Sequence, residues 1–168
     1  MVRKHRRERR QDRGLRRVCA LHSFPAEVLR AIHDDDPVLL DDCIAGSFDL
    51  LDICDAGGST LLHLAARFNA LKVAKYLFDH WSFPVVEQWD FDGWTPVHEA
   101  VSGGHVEMIR PLYDAGVDLE SATFNSGGDG DTPLTLAMQI AEGCGVDPAK
   151  DPTVRTILAL IRPKGSAR

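Results

Sequence analysis

The chain has 168 residues, 44% of them hydrophobic, and a formal net charge of -6, which is enough apolar material for the core of one ordinary domain without disulfides or a metal. No apolar run approaches the length of a bilayer span, and the charged N-terminus has no apolar stretch behind it, so the expectation is neither a membrane helix nor a secretory signal but a protein of the cytoplasm, the nucleus or both. Cys19, Cys43, Cys54 and Cys144 show no CxxC spacing and no paired histidines at finger-like intervals, which argues against a zinc site and for reduced thiols, with at least Cys43 and Cys54 acting as small apolar side chains.

The charge is unevenly spread. Residues 1–17 carry Arg3, Lys4, Arg6, Arg7, Arg9, Arg10, Arg13, Arg16 and Arg17 against Glu8 and Asp12, nine minus two or +7, leaving ten basic and twenty-three acidic residues, or -13, for the rest. Residues 1–20 are therefore expected to form a basic arm too polar to bury a face, disordered or loosely helical, with its boundary near Leu21. Three roles stay open for it: an import signal, an electrostatic contact for nucleic acid or an acidic protein, and a solvated tail. No aromatic lies among the arginines, so base stacking is not indicated.

After the arm come helices expected over 25–33 and 37–45. Asp36 before Pro37 fits a helix N-cap, and its neighbours Asp34 and Asp35, with Asp41 and Asp42, lack the spacing of a calcium loop and are expected to be solvated.

Three segments then align on a small polar triplet at Thr60, Thr95 and Thr132, 35 and 37 residues apart. A repeating unit of two short helices and a turn follows. Helices are expected over 61–67 and 71–79, 96–102 and 106–115, then 133–141 and 152–161. In Thr95-Pro96-Val97-His98 the threonine caps the helix, the proline takes its first position, and His98 reaches back as a capping-box partner. Ala65, Ala66, Ala100 and Ala137 let neighbouring helices approach. Gly104 ends the first helix of its unit, and Val106, Met108, Ile109 and Leu112 give the second its apolar stripe. Pro111 lies well inside that second helix, so a kink or break near Arg110 is expected, with the Glu107 carbonyl left to water.

These segments resemble ankyrin repeats, whose pattern runs Asp-x-x-Gly-x-Thr-Pro-Leu-His-x-Ala-Ala, then Gly, then a hydrophobic helix ending near Gly-Ala-Asp. Gly93 to Ala100, Gly104 to Glu107 and Asp114 to Asp118 carry the match most closely, and the resemblance covers roughly 26–162. It implies an all-α ankyrin-repeat solenoid of about four stacked helix-turn-helix units joined by hairpin loops, with repeats near 24–54, 55–89, 90–126 and 127–162 inside a domain over 21–162 and a tail over 163–168. Leu61 stands where the pattern has proline, Gly127 where it has aspartate and Thr135 where it has histidine. The last unit thus looks like a terminal cap with a weakened hairpin. Its two helices are separated by an insertion over 142–152.

No nucleophile and base pair is apparent. His63 and His98 sit among aspartates and hydroxyls but are expected to serve turns, and Gly127-Gly-Asp-Gly lacks the lysine of a phosphate loop. No catalytic residue, metal or cofactor is therefore expected. A solenoid presents a continuous concave face of hairpin tips and first helices, where the resemblance implies a protein partner bound to a monomer. The positions facing it are Arg67, Phe68, Phe91, Asp92, Trp94, Ser102, Asp129, Asp131 and Gln139. Phe68, Phe91 and Trp94 are the candidate anchors. The leading expectation is an adaptor or regulatory inhibitor; the alternative is a nuclear or nucleic-acid-associated regulator acting through the arm.

Overall fold

The computed structural model describes residues 24–45, 54–80, 89–123 and 130–161. They hold eight helices and no strand: α1 (Ala26–His33), α2 (Pro37–Ile44), α3 (Leu61–Arg67), α4 (Leu71–His80), α5 (Pro96–Ser102), α6 (Val106–Asp114), α7 (Pro133–Gly143) and α8 (Pro152–Ile161). Each helix packs on its partner in the pair. First helices α1, α3, α5 and α7 stack in one layer and second helices in another, with α3 against α5 the most extensive contact.

One backbone device defines the unit. At the end of each first helix the chain turns through a left-handed residue: Asp35, Asn69, Gly104 and Gly145. In every case the next residue's N–H returns to a buried alanine carbonyl, from Asp36 to Ala31, Ala70 to Ala65, His105 to Ala100 and Val146 to Ala141, each at 2.8 Å. This is the Schellman termination. Glycine meets the conformation without cost in the last two units, while Asp35 and Asn69 are the polar residues that tolerate it best in the first two. Ala31, Ala65 and Ala100 belong to the hydrophobic core, where a small side chain lets helices approach closely.

Helix starts follow the expected chemistry. Thr60 and Thr95 form capping boxes with His63 and His98, and Thr132 does so with Thr135. Asp36 accepts from Val38 and Leu39 N–H, and Asp151 accepts from Thr153 and Val154 N–H before Pro152.

Two expectations need correction. The insertion is not all loop: α7 has 11 residues where α3 and α5 have 7. Where α5 meets Gly103-Gly104, α7 continues through Ile140-Ala141 and stops only at Gly143, so part of the extra length is helix. Nor is α6 broken at Pro111; it runs unbroken from Val106 to Asp114. Burial of Met108, Ile109 and Leu112 holds the turns on both sides of the proline, and Arg110 Nε donates to both carboxylate oxygens of Asp114 at 3.1 and 3.0 Å across it.

The acidic cluster of the first pair is less idle than expected. Asp35 Oδ1 accepts from Lys72 and Val73 N–H at 2.8 and 2.9 Å, capping α4 of the next pair. Asp41 accepts from the Tyr76 hydroxyl, and burial with that carboxylate pushes the phenol up to about 12. Asp34 is held by His33 and Arg30, whose hydrogen bonds bring its pKa below the usual carboxylate value.

Candidate functional site

The hairpins between pairs are built on aspartates. Asp55 Oδ1 accepts from Gly57 and Ser59 N–H, both at 2.9 Å, and Asp90 Oδ1 accepts from Asp92 and Trp94 N–H at 3.0 and 2.7 Å. Each turn closes with a backbone bond, Asp55 N–H to Ser59 O and Asp90 N–H to Trp94 O. Burial, with a smaller contribution from the like charges of Asp92 and Glu99, raises Asp90 to about 6 even though the two backbone donors favour its charge. The last hairpin uses Thr123 instead. Its N–H donates to the Asp131 carbonyl at 2.9 Å and its hydroxyl accepts from the Asp131 N–H at 3.0 Å.

Adjacent hairpins are tied to one another. Phe91 N–H donates to the Gly57 carbonyl at 2.9 Å. Gly58 has φ +82°, and a Cβ there would stand 2.9 Å from both the Phe91 ring and its amide nitrogen. Phe91 is thus fixed by its backbone while the residue stays 63% exposed. Trp94 differs: it is half-buried, with its ring centroid 6.1 Å from that of His98. Of these two candidate anchors Phe91 is open, while Trp94 is partly covered, with its ring beside His98 of α5.

The two buried histidines have committed rings. Nδ1 of His63 and of His98 accepts from the Thr60 and Thr95 N–H at 3.2 and 3.1 Å. The opposite nitrogen of each then carries the hydrogen and donates to a carbonyl of the next unit, His63 Nε2 to Trp94 at 3.1 Å and His98 Nε2 to Asp131 at 3.0 Å. Burial lowers the His98 pKa below its ordinary value.

Arg67 lies at the end of α3, and its Nε donates to Glu99 Oε2 at 3.0 Å while its second nitrogen meets Oε1. The Glu99 side chain is only 8% exposed. Hydrogen bonding to that carboxylate raises Arg67 above its usual value. Phe68, 45% exposed, meets His33 edge-on with centroids 5.9 Å apart. Asp92 and Ser102 are exposed, and Gln139 Nε2 donates to Asp131 Oδ1 at 2.8 Å. Asp129 and the arm lie outside the described residues.

Phe91, Asp92 and Trp94 therefore share one hairpin, Arg67 and Phe68 stand at the far end of α3, and Asp131 and Gln139 form a third group. Sequence reasoning missed Glu99, Asp35 and Thr123. The only available signal for Glu99 was a carboxylate at a position taken by Leu64 and Leu136 in the sister helices. Among the described residues no group of histidines, cysteines and carboxylates is arranged to hold a metal ion, and no helix is long and apolar enough to cross a membrane.

Comparison with known proteins agrees with this architecture. A family model for ankyrin repeats, in three copies, matches residues 31–123. Neurogenic locus notch homolog protein 1 of Homo sapiens is 33% identical over 109 residues, 64% of this chain and 4% of that protein. The 26S proteasome non-ATPase regulatory subunit 10 of Dictyostelium discoideum is 37% identical over 67 residues, 40% of this chain and 28% of that protein. A tyrosine-protein kinase of Hydra vulgaris is 28% identical over 85 residues, 51% of this chain and 11% of that protein. The chain thus spans a small fraction of the length of the curated relatives it matches.

Proposed function

Because the chain belongs to the ankyrin-repeat family, whose repeats are protein-interaction modules, we propose that it is a monomeric adaptor or regulatory inhibitor docking one protein on a concave face of hairpin tips and first helices. Phe91 carries this reading. A phenylalanine held by its backbone on a rigid turn, with 63% of its surface open, loses little side-chain freedom when a partner covers it. Phe68, Asp92, Trp94, Ser102, Asp131 and Gln139 would complete the contact, and Arg67 would reach it through the face of its guanidinium left open by Glu99. The relatives' names describe unlike activities, which supports a shared platform and not a shared reaction. The committed rings of His63 and His98 favour a binding module over an enzyme.

The test is affinity capture with the full chain and with a Phe68→Ala, Phe91→Ala variant. Binding should weaken by about tenfold or more, corresponding to roughly 1.4 kcal/mol, with an unchanged melting temperature. Equal capture by both chains would defeat the reading.

A second reading rests on the charge of residues 1–17, which would contact nucleic acid or import machinery. A steep salt slope, lost when the arginines are neutralised, would favour it.

A further inference from the structure

We propose that the arginine-rich segment 1–17 docks on the chain's own hairpin ridge around Phe91, so that an outside partner of that ridge must displace it. The inference shares its surface with the concave-face reading but concerns the chain alone, and either can fail while the other stands.

The ridge has one sign of charge. Its described stretches, 54–60, 89–95, 117–123 and 130–132, contain Asp55, Asp90, Asp92, Asp118, Glu120 and Asp131 and no lysine or arginine. Asp55, Asp90 and Asp118 each use Oδ1 on turn amides. The exposed carboxylates of Asp92 and Glu120 have no partner among the described residues. Arg67, the nearest cation of the first-helix layer, is neutralised by Glu99. Within the ridge Asp92 adds like charge beside Asp90, whose carboxyl is raised chiefly by burial. Amid these charges stands the open ring of Phe91, a surface on which a planar guanidinium can stack.

The occupant follows from complementarity and reach. Residues 1–17 carry +7 against -13 on the rest of the chain. Phe24, where the described chain begins, is buried, so the arm is tethered to the first pair. Twenty-three preceding residues can span up to about 75 Å when extended. The Phe91 hairpin is two units along, roughly 20 Å at the usual helix spacing. Closing such a loop costs little more than closing a shorter one, and tethering supplies an effective concentration on the order of millimolar. The acids of the first pair compete poorly. Unlike the ridge, the first pair carries its own cation, Arg30, which with His33 pairs Asp34 among these acids.

The experiment compares backbone amide spectra of the full chain with those of a variant carrying Arg6→Gln, Arg7→Gln, Arg9→Gln and Arg10→Gln. At about 50 mM salt the shift differences should concentrate at Gly57, Phe91, Asp92, Trp94 and Glu120 and fade by about 500 mM as the screening length shrinks to about 4 Å. They should not depend on protein concentration. Adding Phe91→Ala, Asp92→Asn and Glu120→Gln should make the arm substitutions silent on the ridge. Differences confined to the arm, centred on Glu27 and Asp42, or growing with protein concentration would overturn the proposal.

Discussion

His98 Nε2 donates to the backbone carbonyl of Asp131 at 3.0 Å while its other nitrogen receives the Thr95 N–H, so one neutral ring caps α5 and clamps the next hairpin. A protonated ring would turn a hydrogen toward the Thr95 donor and lose the cap. Its lowered pKa means that the unfolded chain binds the proton more tightly. Stability is therefore full above the ordinary value of 6.5 and falls as pH drops through it. Asp90 acts with the opposite sign: raised to about 6, its carboxyl is favoured protonated in the fold and offsets part of the loss below that pH. The melting temperature should decline below about pH 6.5. His98→Thr, which copies the Thr132–Thr135 cap, should flatten that decline and cost about 1–3 kcal/mol at neutral pH, through the cavity left by the buried ring and the loss of its bond to the Asp131 carbonyl, which keeps only the Thr123 N–H. Asp90→Asn should instead steepen it, by an amount on the order of 1 kcal/mol or less at this half-solvated site.

Arg67 and Glu99 form a pair whose members have unequal freedom. The Glu99 side chain is nearly enclosed and that of Arg67 is 45% exposed. Arg67→Ala should destabilise by about 2–3 kcal/mol because it leaves a buried charge unpaired, whereas Arg67→Leu with Glu99→Leu should recover most of the loss. Denaturant unfolding of the single and the double variant checks this. A loss of partner binding in Arg67→Ala alone would reflect this instability as well as any contact.

Three glycines should respond differently to alanine. At Gly130 a Cβ would lie 1.7 Å from the Thr123 carbonyl oxygen, so the hairpin must open, at a cost of about 2 kcal/mol or more. Gly104 has free space but φ +68°, and should lose about 1 kcal/mol. Gly143 is helical, with nothing within 4 Å, and should gain about 0.5–1 kcal/mol. Thermal melts would rank the three.

Pro111→Leu should raise stability. The proline withholds one hydrogen bond inside an otherwise continuous helix, a cost of up to about 3 kcal/mol. Each kcal/mol recovered should appear as about 2–4 °C in the melting temperature. A fall would mean that leucine does not fit the half-buried position.

The helices were legible because their signals are local. Thr-Pro pairs, the Gly103-Gly104 stop and the apolar stripes place every expected boundary within two residues of the observed one. The left-handed turns at Asp35 and Asn69 were not foreseen, because neither residue announces that conformation as glycine does. Interactions spanning units stayed hidden for a related reason. Nothing near Glu99 in sequence points to Arg67, 32 residues away, nor anything near Asp35 to the α4 amides, 37 and 38 residues on. The half-burial of Trp94 likewise depends on how its ring falls against His98.

The clamps between units all reach across the repeat, and this gives the fold a timetable. His63 bonds to the Trp94 carbonyl, 31 residues later in the chain, and His98 to Asp131, 33 residues later. During synthesis at about 5–20 residues per second, each histidine waits roughly 2 to 6 s for its acceptor to be made. A unit leaving the ribosome therefore has its caps and helices available before its outward clamp, and becomes fully bonded only when its successor arrives.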